Sequence, residues 1–278
     1  MGSQFHIDSR HPAGGGCIND AWQVTGQGRD YFIKLNQPSR LDMFEAEFDG
    51  LSGMFEVGAI RVPKPLLSGV ASQRSFLVME FIQMGHKGST EQMGRQLALM
   101  HRKTAGHFGW HRDNTIGSTA QQNNWTEDWV GFFRRYRLGN QIELAARKGI
   151  GSHAVGLVEK LIDRLDCFYT DYQPLPSLLH GDLWGGNAGF DADGNPVIYD
   201  PATYYGDREA DLAMTELFGG FDNNFYAAYA NCWPIDPGYA VRKTLYNLYH
   251  ILNHYNLFGG GYGMQAEGMA GQLLSACR

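Results

Sequence analysis

Residues 180–187 read HGDLWGGN, with an aspartate and an asparagine five positions apart, a tryptophan and three glycines. Two readings compete. In one, Asp182 and Asn187 belong to a polar turn and make local Asx hydrogen bonds. In the other, the loop brings a carboxylate and an amide oxygen to a metal-bound phosphate, where hard oxygen donors are the appropriate chemistry. The eight residues do not choose between them, so the choice falls to the sequence around them.

Downstream, NAGFDADGNPVIYDPA reads as a hairpin turning at DADGNP, and Asp200 ends its second strand, thirteen residues beyond Asn187. Upstream, a glycine-rich turn (AGGG, 13–16) lies between QFHIDSR and DAWQV, two short strands. RDYFIKLN then carries Lys34 in a third strand after the turn TGQG. LDMFEAEFDGLSGMF follows as a helix, with Leu41, Phe44, Phe48, Leu51 and Phe55 on one apolar stripe. Glu45 and Glu47 flank that stripe on opposite sides, and periodicity does not choose between them. SFLVMEFI (75–82) is a continuous apolar run of strand length, as expected of a central buried strand.

Phosphoryl transfer from ATP calls for these parts. A glycine loop covers the phosphates, and a lysine held by a carboxylate neutralises them. An aspartate positions the acceptor hydroxyl, and an Asn/Asp pair holds magnesium. The interval from Asp182 to Asn187 equals that of the kinase catalytic loop D-x-x-x-x-N. A pseudokinase that only binds nucleotide would be expected to have lost part of the set Lys34, Asp182, Asn187 and Asp200. All four are present.

Composition narrows the class. The 278 residues, 43% hydrophobic and 19% charged, suffice for a folded core and two lobes. A net charge of -6 argues against a nucleic-acid surface. No apolar run approaches the roughly 18 residues of a membrane span, and MGSQFHIDSR has no signal-peptide core. Cys17, Cys167, Cys232 and Cys277 are widely spaced and form no CxxC pair. They indicate neither a zinc site nor a disulfide scaffold, and a cytoplasmic location is expected. Cys17 abuts the glycine turn, where a lowered thiol pKa would make it a redox-sensitive position.

After QMGHKG the pattern turns helical. Ser89 to Gln92 has capping-box spacing. Helices are expected from near Thr126 to Gly149, from Ser152, in DREADLAMTELF, and in YAVRKTLYNLYHILNHYNLF. The expected division is a β-rich N-terminal lobe over 1–84 and a mainly helical C-terminal lobe over 85–278. Three imitations are set aside. DADGNP opens like a calcium loop, but its twelfth position is Ala202. His250 and His254 have zinc-helix spacing but lack the HExxH glutamate. The glycines at 259–263 have no P-loop lysine and read as a flexible turn near the substrate cleft.

Taken together, YFIKLN, MFEAEFDGL, FLVMEFI, LLHGDLWGGN, VIYDPATYYGDREADLAM and LYHILNHYNLFGGGY resemble the fructosamine kinase (ketosamine-3-kinase) family over nearly the whole chain. That family is related to aminoglycoside and choline kinases. The resemblance implies an α+β, two-lobed protein-kinase-like fold and an enzyme that uses ATP and Mg2+ to phosphorylate a sugar hydroxyl (O3) of ketosamines, promoting deglycation. By the same resemblance Asp182 is the catalytic base, and Asn187 and Asp200 bind the metal. Gly15, Gly16 and Lys34 meet the phosphates, Glu47 pairs with Lys34, and Glu80, Phe81 and Ile82 form the adenine hinge. Asn253 and His254 fall near the sugar, and Asp211 braces the catalytic loop, whereas Trp184, beside the base, reads equally as a ring stacked on the sugar face or as packing. Another small acceptor (an aminoglycoside, choline or a simple sugar) is the alternative. A ketosamine, small or protein-bound, is the expected partner of a monomer or weak homodimer. HGD in place of HRD and DPA in place of DFG remove the loop arginine and the mobile phenylalanine, which points to a constitutively active enzyme.

Overall fold

The computed structural model describes residues 5–14 and 19–277. The N-terminal lobe is an antiparallel sheet built from β1 (Ser9–Pro12), β2 (Asp20–Gly26), β3 (Arg29–Asn36), β4 (Pro65–Ala71) and β5 (Arg74–Glu80). Their order is β1-β2-β3-β5-β4. Side chains two apart share a sheet face, so Phe32 and Lys34 of β3 point the same way. Their register partners Met79 and Ala21 join them in lining the cleft below the sheet. SFLVMEFI supplies an interior strand, as its apolar run predicts. The strand at 65–71 was not foreseen, because VPKP reads as an exit and PLLSGVA has an exposed face.

Helix α1 (Leu41–Val57) packs on β4 and β5 and caps on Gly58. Its buried residues are Phe44, Ala46, Gly50, Leu51 and Met54. The stripe is thus rotated from the predicted one, and Phe55 lies exposed. Small residues account for the difference: Ala46 and Gly50 let α1 approach its neighbours, a role a hydrophobicity pattern does not register.

Beyond β5 the chain enters β6 (Met84–Gly85), which pairs with a strand over Ala188–Asp191 of the C-terminal lobe. Helix α2 (Thr90–His101) starts where predicted, with the Ser89 side chain accepting from Gln92 N–H. After the hairpin β7 (Asn114–Ile116) and β8 (Thr119–Gln121), the helix expected from Thr126 begins at α3 (Trp129–Phe132), capped by Asp128. It passes through a π-helical stretch (Phe133–Gly139) into α4 (Asn140–Arg147). Helix α5 (Ser152–Ile162) leads to β9 (Ser177–Leu179), the hairpin β10 (Ala188–Asp191) and β11 (Pro196–Ile198), and β12 (Tyr204–Gly206), which pairs with β9.

Helices α6 (Glu209–Leu217), α7 (Asn223–Cys232), α8 (Tyr239–Phe258) and α9 (Tyr262–Ala276) complete the lobe. The buried α8 packs against α4, α6 and α9, and α7 against α2. Helices α7 and α9 escaped the sequence reading, the second because the glycines at 259–263 read as a turn of their own.

A second correction concerns cysteine. Helix α9 folds back on α5 and brings Cys277 to Cys167, and the two form a disulfide with Cα atoms 5.8 Å apart. A separation of 110 residues hides such a pairing from spacing rules. Cys232 is a free thiol. Among the described residues no helix is long and apolar enough to cross a membrane.

Candidate active site

A cleft of about 550 Å³ lies between the sheet and the C-terminal lobe, and Lys34, Glu47, Asp182, Trp184, Asn187 and Asp200 all line it. Strand β3 delivers Lys34, α1 delivers Glu47, and the loops after β9 and β11 deliver the rest. Lys34 Nζ donates to Glu47 Oε1 and to Asp200 Oδ1, 2.6 Å each. Burial on its own would lower the lysine pKa, but the two carboxylates outweigh it and the ammonium is held above its ordinary value. Burial also raises the Glu47 carboxyl, against the pull of Lys34. Glu45 instead faces Arg112 at 3.6 Å, which answers the question periodicity left open.

Strand pairing between β9 and β12 aims the HGD loop. Asp211 accepts the N–H groups of His180 (2.7 Å) and Gly181 (2.8 Å), satisfying two buried backbone donors at the turn. His101 Nε2 lies 3.1 Å from the same carboxylate, and His101 Nδ1 lies 2.7 Å from the Tyr229 hydroxyl. Burial would raise the Asp211 pKa, but its bond to His101 and the loop amides leave it below the ordinary carboxylate value. His180 has a single tautomer that satisfies both neighbours. Nδ1 accepts from Asp182 N–H at 3.2 Å, and Nε2–H donates to the Tyr199 carbonyl at 2.9 Å. Burial keeps this ring neutral, its pKa lowered.

The loop residue between them must be glycine. Gly181 has φ +83°, and a Cβ there would stand 2.1 Å from the Ala202 carbonyl oxygen. HGD in place of HRD is therefore a steric requirement of this turn, which leaves no room for an arginine side chain. Burial, and next the charge of Asp200, lift the Asp182 carboxyl to about 7, a value suited to accepting a proton near neutral pH.

Asn187 Nδ2 donates to the Asp182 carbonyl at 2.9 Å. Among the described residues, no donor reaches Asn187 Oδ1 or Asp200 Oδ2. Asp200 itself sits at φ +58°, an uncommon conformation for a non-glycine residue and one characteristic of functional sites. Two free oxygens of an amide and a carboxylate fit magnesium, which takes a few protein ligands and completes its shell with phosphates and water. Among the described residues no group of three or more His, Cys, Asp or Glu is placed to hold a metal.

The remaining candidates divide. Glu80 and Ile82 line the cleft and Phe81 does not. The Glu80 N–H already donates to the Lys64 carbonyl at 2.8 Å, so that donor is not open to adenine. Trp184 is 40% exposed, its ring spread over Gly186, where a Cβ would meet it at 2.2 Å. The indole meets Phe218 edge-on at 6.3 Å, and Phe218 in turn meets His254 at 4.9 Å. Asn253 is not in the cleft. It is 2% exposed, accepting from Gln141 and donating to the Ile116 carbonyl, which places it behind the wall. Gly15, Gly16 and Cys17 lie outside the described residues. The sequence reading missed Asn114, Thr115 and Gly117, whose hairpin closes one side of the cleft; an uncharged NTIG stretch gives no chemical signal.

A lysine pinned between two carboxylates, with a second aspartate and an asparagine facing it across an interlobe cleft, defines a kinase-like phosphotransferase site. Comparison with known proteins makes this specific. The model of the fructosamine kinase family matches residues 1–276, and the chain belongs to that family. It is 48% identical over 276 residues to a probable ketoamine kinase of Synechocystis, covering 98% of this chain and 92% of that one. It is 44% identical over 257 residues to a chloroplastic protein-ribulosamine 3-kinase of Oryza sativa subsp. indica, covering 91% and 75%. Among solved structures, a fructosamine-3-kinase candidate from Haemophilus somnus superposes with TM-score 0.88 at 30% identity, over 97% of this chain and 92% of that one. The aminoglycoside phosphotransferase APH(4)-Ia, in ternary complex with AMP-PNP and hygromycin B, shares the fold at TM-score 0.65 and 13% identity, over 97% and 94%.

Proposed function

We propose that this chain transfers the γ-phosphoryl group of ATP to a sugar hydroxyl, O3, of ketosamines such as fructosamine or ribulosamine adducts, and so promotes deglycation. The observation that carries the reading is the Lys34 bridge to Glu47 and Asp200 at 2.6 Å each, facing Asp182 across one cleft. The substrate class rests on relatives named ketoamine kinase and protein-ribulosamine 3-kinase.

In this mechanism Asp182 takes the proton of the acceptor hydroxyl, or orients it, as the new O–P bond forms. The bond from phosphorus to the ADP oxygen breaks in line. The Lys34 ammonium offsets charge on the phosphate oxygens. Asn187 and Asp200 would hold magnesium, which when bound neutralises the triphosphate. Hinge residues 80–82 and the glycine turn at 14–16 hold the nucleotide, and Trp184 and His254 face the sugar. The reading includes a monomer or weak homodimer in a compartment that supplies ATP.

A panel of fructosamine, ribulosamine, aminoglycoside and choline acceptors, assayed for ADP release, tests the substrate class. Turnover of the two ketosamines and not of the others is expected. Turnover confined to an aminoglycoside or choline would overturn it.

A further inference from the structure

Helix α1 presents Glu47 to Lys34, so the rotation of that helix decides whether the pair forms. At about 100° per residue, Asp42, Glu45 and Asp49 fall within about 60° of one another on α1, and Glu47 points roughly the opposite way. Asp42 stays largely exposed on this face, while Asp49 is the most covered of the three acids. Three consecutive side chains of the C-terminal lobe engage the face. Trp110 Nε1 donates to Asp49 Oδ2 at 2.7 Å, and His111 Nε2 lies 2.8 Å from the same oxygen. Arg112 Nη2 donates to Asp42 Oδ1 at 2.6 Å and stands 3.6 Å from Glu45. One turn beyond Asp49, Gly53 makes room for the indole, since a Cβ there would sit 3.1 Å from Trp110.

The tripeptide is itself rigidly rooted. Gly109 and Tyr205 exchange backbone hydrogen bonds of 2.9 and 2.8 Å, and Trp110 N–H donates to the Asn123 carbonyl at 2.8 Å. The Trp110 ring packs against Tyr205 at 5.4 Å. Tyr205 belongs to β12, whose partner β9 runs directly into the HGD loop. One continuous set of contacts therefore ties the catalytic-loop strands to the face of α1 opposite Glu47. In protein kinases the position of the corresponding helix is a point of control; here it is clipped in place.

We propose that Trp110, His111 and Arg112 are positioning residues that fix the rotation of α1 and thereby hold Glu47 on Lys34. This rests on the reading of Lys34 and Glu47 as the ATP-phosphate pair. The test is a double-mutant cycle on the full chain, with kcat and the KM for ATP measured separately. Asp49→Ala removes the acceptor shared by Trp110 and His111. It should raise the KM for ATP and lower kcat/KM by about tenfold in the wild-type background. In the Glu47→Gln background, where the pair is already broken, its effect should shrink to under about twofold. Asp49→Asn, which keeps an oxygen for the indole N–H, should recover most of the loss. Trp110→Phe, which removes only the donor and part of the ring, serves if Asp49→Ala does not fold.

An equal fold-loss in both backgrounds would mean a merely structural contact and would overturn the proposal. So would Asp49→Ala and Trp110→Phe enzymes within twofold of wild type while Lys34→Ala is inactive. If Lys34→Ala itself turned over like wild type, the reading of the phosphate site would fall instead.

Discussion

Gly181→Ala adds a single methyl group at φ +83°, 2.1 Å from the Ala202 carbonyl oxygen. Two costs follow. Holding a residue with a Cβ in the left-handed region costs roughly 1–2 kcal/mol. Relieving an overpacked contact against backbone costs about another 1–3 kcal/mol. Together they take roughly 2–5 kcal/mol from a fold whose total stability is on the order of 5–15 kcal/mol. At about 2–4 °C per kcal/mol for a chain of this size class, Tm should fall by roughly 4–20 °C. Turnover should fall as well, because the methyl is accommodated by parting the turn that carries Asp182 from the Ala202 backbone. A displacement near 1 Å costs about 10²-fold in rate. Gly149→Ala is the control, since Gly149 has φ +87° but nothing within 4 Å of its Cβ position, at the far end of α4. It should cost about 1 kcal/mol and leave kcat unchanged. Thermal melts and initial rates at saturating ATP decide the matter. Equal kcat in both variants would refute the claim that the Gly181 turn sets the position of Asp182.

Other outcomes are expected from the same structure. Asp182→Asn should bind ATP with near-native affinity while turnover falls by about 10²–10⁴-fold; nucleotide titration and rate measurement on one preparation separate the two. His250 is buried and neutral, its pKa lowered by burial and then by His254 to about 3. Below the ordinary histidine value near 6.5 the unfolded chain takes up a proton that the folded one refuses, so stability falls as pH drops toward 3, by about 1.4 kcal/mol per unit. Urea melts between pH 6 and 4.5 should show a slope shallower by that amount in His250→Gln, and identical slopes would contradict it. Reducing Cys167–Cys277 frees a loop closed across 110 residues and should cost about 2–4 kcal/mol, read as a drop in denaturation midpoint that Cys167→Ser reproduces without reductant.

Much of the site was legible because its chemistry demands particular residue types at particular intervals. Asp182, Asn187 and Asp200 are spaced by a loop and a hairpin, and Lys34 sits in a strand whose limits, Arg29–Asn36, are those read from RDYFIKLN. Periodicity could not separate Glu47 from Glu45, because the two flank one stripe and only the partner across space tells them apart. Asn253 was expected near the sugar, with His254, only from the family resemblance. One step along a helix turns a side chain about 100°, enough to bury the amide. The cysteine pairing and the Trp110–Arg112 clip depend on chain segments brought together by packing, which local sequence does not encode. The acidic face of Asp42, Glu45 and Asp49 was nonetheless there to be read.

The most direct test of the account is 31P NMR of a reaction containing the enzyme, ATP, magnesium and a fructosamine. Wild type should produce a new phosphomonoester resonance coupled to a sugar proton, growing as the ATP γ-phosphate signal declines, with no such product from Asp182→Asn. ATP loss that yields only inorganic phosphate, or the same phosphomonoester from Asp182→Asn at the wild-type rate, would contradict it.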